Sequence, residues 1–213
     1  MTTTDFIIDA ITVLGTAAFA LAAVLAASDK KVDLFSVTVL GVITAVGGGT
    51  IRDCILDVPV FWSQDISYIT IACIASLFGF FCFPLIQLKK INTVYLYIDA
   101  LAIAMFAIQG TDKAWALGFG LPVAPVILGI ITAVGGGVVR DTLLQRPSLL
   151  LNKELYAIPV ALGCLLYCGF LVFFNDFSQF GALISVGLIV YLRHLSIQKH
   201  VCVPDWAIIN RSQ

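Results

Sequence analysis

Charge is what this chain has least of. Of its 213 residues only 12% are charged, and 12 Lys and Arg against 13 Asp and Glu leave a formal net charge of −1. A soluble domain runs at about 25% charged residues. With 60% hydrophobic residues and a mean hydropathy of +1.03, a water-facing globule is excluded. The absence of a basic excess excludes a nucleic-acid partner. There are two histidines, His194 and His200, and no HExxH, no P-loop lysine and no Ser-His-Asp set, so the chain is not expected to be an enzyme. The cysteines, Cys54, Cys73, Cys82, Cys164, Cys168 and Cys202, form no CxxC pair. Cys164 and Cys168 share a helix face but have no His or carboxylate beside them, so they read as packing residues. No cofactor and no structural metal are expected.

What remains is a polytopic membrane protein, with partners in lipid and in whatever it transports. Seven apolar runs are legible: Phe6 to Ala27, Leu34 to Leu56, Ile66 to Ile86, Thr93 to Gly110, Ala116 to Leu144, Leu155 to Phe174 and Phe177 to Leu192. Their length and the lack of period-two alternation predict transmembrane helices rather than barrel strands. No Lys or Arg precedes Lys30, whereas Asp5 and Asp9 do, so the first run is kept as a mature span. The tail from Ser196 to Gln213 is expected to be solvated.

Loop charge predicts orientation. One set of alternate loops and the tail hold Lys30, Lys31, Lys89, Lys90, Arg146, Lys153, Arg193, Lys199 and Arg211, and the other set holds only Lys113. The positive-inside rule then puts the N-terminus outside and the C-terminus in the cytoplasm, as in a bacterial inner membrane.

The chain repeats itself. ITAVGGGTIRD at Ile43–Asp53 returns as ITAVGGGVVRD at Ile131–Asp141, identical at nine of eleven positions. Leu56-Asp57-Val58-Pro59 parallels Leu144-Gln145-Arg146-Pro147, Tyr68 parallels Tyr156, and Phe19-Ala20 parallels Phe106-Ala107. Spans one to three (about 6–86) thus recur as spans four to six (about 93–174), with span seven (about 177–192) alone. Three spans per copy is an odd number, so the second copy must be inverted in the bilayer, a signature of transporters and some channels.

Gly47, Gly48 and Gly49 fall within span two, and Gly135, Gly136 and Gly137 within span five. Each glycine costs about 1 kcal/mol relative to alanine in a helix, so a break or kink is expected at each triplet. Close helix approach is the other reading of such small residues. Arg52, Asp53, Arg140 and Asp141 follow the triplets. Ionisable groups at membrane depth face a bundle interior or an aqueous path. Adjacent residues do not share a helix face, so the expectation is either a pairing across the repeats, Arg52 with Asp141 and Arg140 with Asp53, or a lining of one conduit by these groups near its two mouths. Snorkelling to the interface is the alternative. Asp9 and Asp99, in the first span of each copy, are possible lining residues, Asp9 also fitting the outer interface.

The doubled GGGxxRD, its LDVP and LQRP sequels, and Glu154-Leu155-Tyr156-Ala157 resemble the prokaryotic trimeric intracellular cation (TRIC) channel family, whose bacterial group is also labelled as glycine transporters. The resemblance covers about residues 5 to 195. It implies seven transmembrane helices in two inverted three-helix repeats plus a seventh, assembled as a homotrimer. Each protomer would hold an hourglass pore along the kinked second and fifth helices, passing potassium chiefly and sodium as well. The six triplet glycines would be the kinks, and Arg52, Asp53, Arg140 and Asp141 would line the pore. Animal members carry a lysine-glutamate pair where this chain has Arg-Asp, so their lipid regulation is not implied. A secondary transporter of a small amino acid such as glycine, and a non-conducting membrane scaffold, are the alternatives.

Overall fold

The computed structural model describes residues 3–85, 90–152, 155–199 and 201–202. Eight α-helices follow in chain order: α1 Thr3–Ala26, α2 Leu34–Ile55, α3 Phe61–Gln64, α4 Ser67–Cys82, α5 Ile91–Ala116, α6 Val123–Leu143, α7 Ala157–Phe173 and α8 Ser178–Lys199. Six of them are long and apolar enough to cross a membrane, and α7 is an apolar helix of 17 residues.

Burial is inverted relative to a water-soluble bundle. Phe35, Phe78, Phe81, Phe173 and Leu165 are exposed on the outside. The centre is built from small residues: Ala18, Ala20, Ala22, Ala23 and Ala26 on α1 and Ala100, Ala102, Ala104 and Ala107 on α5 are buried. Small side chains let backbones approach where no hydrophobic effect pulls helices together. Hydroxyls within the bundle are satisfied locally. Thr12, Thr16, Thr44, Ser76, Thr111 and Thr132 each donate to the carbonyl four residues back. This back-bonding keeps a polar group paired without a tertiary partner.

Element ends follow local chemistry. Asp33 caps α2, its carboxylate accepting from the Ser36 backbone N–H at 2.9 Å and the Ser36 hydroxyl at 2.7 Å, which holds its pKa below the ordinary value. Pro84 falls in a 3-10 turn, Phe83–Leu85, that closes α4. Gly118 and Gly120, at φ of 65° and 55°, reverse the chain between α5 and α6.

Several expected boundaries shift. The fourth span is longer than its apolar run, because Asp112 and Lys113 find partners and the helix continues to Ala116. The fifth begins at Val123 rather than Ala116, since the two glycines turn the intervening residues. The sixth begins at Ala157. The seventh runs on to Lys199, so Arg193 is a fully buried helical residue and not a loop charge, and Ser196 is buried rather than solvated. The short α3 was not legible. Ile86, Lys89, Lys153, Glu154, His200 and residues 203–213 lie outside the described residues.

Candidate functional site at the crossing of α2 and α6

The glycine triplets do not break their helices: α2 and α6 run through them without interruption. Their visible role is close approach. A Cβ on Gly48 would stand 2.0 Å from the Thr132 carbonyl oxygen, and one on Gly136 would stand 2.2 Å from that of Thr44. Gly135 meets the Cα of Gly48, whereas Gly47 has nothing closer than 3.9 Å. Position 44 faces 136 and position 48 faces 132, so the two helices cross antiparallel, backbone on backbone. The outer glycines serve the flanks: a Cβ on Gly49 would strike the Phe61 ring at 2.6 Å, and one on Gly137 would press the Tyr156 hydroxyl at 3.1 Å.

Beyond the crossing each helix carries its Arg-Asp pair, and the antiparallel arrangement sends them to opposite ends. Arg52 and Arg140 each lie about 9 Å along the axis from the crossing point at 1.5 Å per residue. Both guanidinium groups are fully buried, which excludes snorkelling.

The expected exchange across the repeats does not occur. Each arginine folds back on its own neighbour. Arg52 Nε donates to Asp53 Oδ1 at 2.8 Å, with Nη2 also 2.7 Å from that oxygen. Arg140 Nε donates to Asp141 Oδ1 at 2.9 Å. A difference of one residue puts the Cβ atoms on different faces, but the arginine stem is long enough to curl across them, and roughly 18 Å of helix separates the cross-repeat partners. The other carboxylate oxygen of each Asp accepts a backbone N–H eight residues on, from Phe61 at 2.9 Å and from Leu149 at 3.2 Å. Asp57 and Gln145, at φ of 53° and 51°, make the matching left-handed turns that bring those N–H groups back. The two cradles are the same structure built twice.

They differ in what α5 adds. At one end Arg52 Nη1 donates to Gln109 Oε1, and Lys113 Nζ donates to Asp53 Oδ1 at 2.8 Å. At the other, Arg140 Nη1 donates to Asp99 Oδ1 at 2.7 Å and Nη2 donates to the Tyr95 hydroxyl at 2.6 Å. The Tyr95 ring lies between two guanidinium groups, 5.0 Å from that of Arg140 and 5.3 Å from that of Arg146. Arg146 also donates to the carbonyl of Ala26, the last residue of α1, where the helix dipole favours a cation. Cavities of about 330 and 220 Å³ flank this point, both lined by Asn92, Tyr95 and Arg146.

Asp99 therefore joins the site, fully buried beside Arg140, while Asp9 is exposed on α1 and has no part in either cluster. Tyr95 and Gln109 were not legible as site residues, although they interrupt an apolar run on the helix paired with α1, and Lys113, expected in a loop, lies in the last turn of α5. A third buried cation was missed too. Arg193 of α8 donates to the Leu155 carbonyl at 2.8 Å and lies 5.0 Å from the Tyr156 ring. Among the described residues, no group of three or more His, Cys, Asp or Glu is placed to hold a metal. Cys164 and Cys168 point their sulfurs at different carbonyls, those of Ala107 and Pro122.

A family model described as "Glycine transporter" matches this chain twice, over residues 9–84 and 96–171. An inner membrane protein of Escherichia coli K12, UPF0126 protein YadS, is 34% identical over 198 residues, 92% of this chain and 94% of its own. The UPF0126 membrane protein YvgT of Bacillus subtilis is 39% identical over 158 residues, 73% of this chain and 77% of its own. The crystal structure of the TRIC trimeric intracellular cation channel orthologue from Rhodobacter sphaeroides superposes with a TM-score of 0.85 at 28% identity, covering 94% of this chain and all (100%) of that one.

Proposed function

Because the chain belongs to the glycine transporter family, which includes the prokaryotic TRIC channels, we propose that it is a monovalent cation channel, permeable to potassium and sodium. Each protomer holds one pore, running along α2 and α6 past the two Arg-Asp cradles. The observation that carries this reading is the antiparallel crossing of α2 and α6, with a neutralised, fully buried arginine beyond it at each end. Cations pass an arginine only where its charge is cancelled, and here each guanidinium is held by at least one carboxylate. Ionisable groups this deep in an apolar bundle are too costly to keep without an aqueous path or a partner.

The finer architecture follows from the same reading. α1, α2 and α4 form one repeat, α5, α6 and α7 its inverted copy, and α8 the seventh span. The triplets, Gly47 to Gly49 and Gly135 to Gly137, are the points at which α2 and α6 kink when the pore opens. The protomers assemble as a trimer, as the Rhodobacter sphaeroides orthologue is described. The N-terminus lies outside and the tail in the cytoplasm of a bacterial inner membrane, as the loop charges and the description of the Escherichia coli relative support.

The description of the family model supports a second reading, a glycine carrier. A carrier of this class holds its substrate at discontinuous helices whose half-helix termini meet the carboxylate and ammonium. The uninterrupted α2 and α6 favour the channel. Purified protein in planar bilayers under a potassium gradient, with glycine uptake into liposomes in parallel, separates the two. Unitary currents reversing near the potassium potential are expected. Saturable glycine uptake without unitary currents would overturn the channel in favour of the carrier, and silence in both assays would leave a non-conducting scaffold.

A further inference from the structure

Tyr95 stands where the interior of the bundle meets open space. The cavities of about 330 and 220 Å³ share Asn92, Tyr95 and Arg146 in their walls. The smaller is built against the Arg140 cradle, since its wall includes Leu149, whose N–H donates to Asp141. Tyr95 borders both spaces yet is only 2% exposed, so its ring closes them off from what lies behind. On the cavity side the ring meets the guanidinium of Arg146 at 5.3 Å, and on the inner side that of Arg140 at 5.0 Å. Arg140 and its partner Asp99 are fully buried.

One polar atom behind the ring is left over. Asp99 Oδ2 is buried and accepts no hydrogen bond among the described residues. An unpaired buried acceptor is costly, more so when charged, so this arrangement holds a carboxylate oxygen that contact with water or a cation would stabilise. The ring also has somewhere to go. Side chains on a helix point back toward its N-terminus, over the residues three and four positions earlier. For Tyr95 those are Asn92 and Ile91, which line the larger cavity. A cavity of about 150 Å³ holds benzene, so this space accepts a phenol ring while α5 stays in place.

We propose that Tyr95 is a gate at the Arg140 end of the pore. In the closed position its hydroxyl accepts from Arg140 Nη2 at 2.6 Å and its ring is clasped between the two arginines. In the open position the ring swings over Asn92 and joins the cavities to Arg140 and Asp99. The inference rests on the channel reading above, and the gate lies beyond one cradle, away from the glycine crossing. Arg146 holds the outer face of the ring, itself fastened to the Ala26 carbonyl and 4.0 Å from Asp29. The bond between the Tyr95 hydroxyl and Arg140 exists only in the closed position, whereas in the open one both groups meet water. Stranding a buried charged donor by removing its partner shifts an equilibrium about tenfold.

The test is single-channel recording of the purified full chain in planar bilayers in KCl, reading the ratio of open to closed time separately from unitary conductance. Tyr95→Phe keeps the ring and removes only the hydroxyl. The ratio should rise about tenfold with unitary conductance unchanged, because the ring is out of the path once the gate is open. Arg146→Gln releases the outer face of the ring and should raise the ratio as well. Tyr97→Phe is the control: it removes a hydroxyl two residues along the same helix, one that meets His194 Nδ1 of α8 at 2.9 Å, and should leave the ratio at the wild-type value. A purely structural role for Tyr95 would lower the melting temperature without moving the ratio. A wild-type ratio in both Tyr95→Phe and Arg146→Gln, or an equal rise in Tyr97→Phe, would overturn the inference and leave the channel reading standing. Silence from the wild type and both variants would overturn both, because the channel reading itself would then have failed.

Discussion

Phe19 of α1 and Phe106 of α5 stack on each other, ring centroids 5.2 Å apart and planes inclined by 26°. They occupy matching positions in the two copies of the repeat. Each residue is thus its own counterpart's main aromatic contact, and the two repeats meet at this pair. Phe19→Ala is expected to cost about 3–5 kcal/mol of stability, as for other buried aromatics. In the double variant with Phe106→Ala the costs should fall short of additivity by about 0.5–1.5 kcal/mol. Thermal unfolding in detergent measures both, and strict additivity would show that the rings do not couple.

The crossing of α2 and α6 makes a sharper distinction among glycines. Gly48→Ala and Gly136→Ala drive a methyl group into a backbone carbonyl, which cannot rotate away, and should each cost about 1–3 kcal/mol. Gly169→Ala, with nothing within 4 Å, should lie within about 0.5 kcal/mol of the wild type. Melting temperatures of the three variants side by side check the ranking. Equal tolerance would mean that the triplets are kept for bending alone.

Arg140 is the most heavily paired cation in the bundle, and its removal should be severe. Arg140→Gln leaves Asp99 and Asp141 buried without their cation, at about 3–5 kcal/mol. Adding Asp99→Asn removes one of the stranded charges and should recover part of that loss. Chemical or thermal unfolding of the single and double variants decides it, and a double variant less stable than Arg140→Gln would contradict the pairing.

Lys113 should be nearly dispensable for folding. Its side chain is 28% exposed, and Asp53 keeps Arg52 and the Phe61 N–H without it. Lys113→Gln is expected to cost less than about 1 kcal/mol. Thermal unfolding in detergent checks this, and a large downward shift of the melting temperature would contradict it.

Arg193 fastens α8 to the turn before α7. Arg193→Gln shortens the donor that reaches Leu155, so the amides from Leu155 into the first turn of α7 should exchange faster with solvent while those of α5 stay protected. Hydrogen exchange with mass spectrometry reads this directly, and unchanged exchange at Leu155–Val160 would assign Arg193 a packing role only.

Much of the architecture was legible because a bilayer leaves the chain few options. Runs of apolar residues must be helices there, so the number of long apolar elements and their approximate places followed from hydropathy, and the eleven-residue near-copy exposed the duplication directly. Element ends were less legible, because they depend on partners. α5 outruns its apolar stretch since Lys113 meets Asp53, and α8 absorbs Arg193 since a backbone carbonyl and an aromatic ring await it.

The sequence by itself determined that Arg52, Asp53, Arg140 and Asp141 follow glycine triplets within long apolar runs, because composition and repetition are local properties of the chain. Only the tertiary structure decided whom those arginines pair with and what the glycines are for. An arginine stem reaches little more than one helical turn and chooses by distance. The antiparallel crossing put the cross-repeat carboxylates out of range, leaving each guanidinium its own neighbour and whatever α5 offered. The glycines answer to the same geometry, since only the meeting of two helices turns a missing Cβ into room for another backbone.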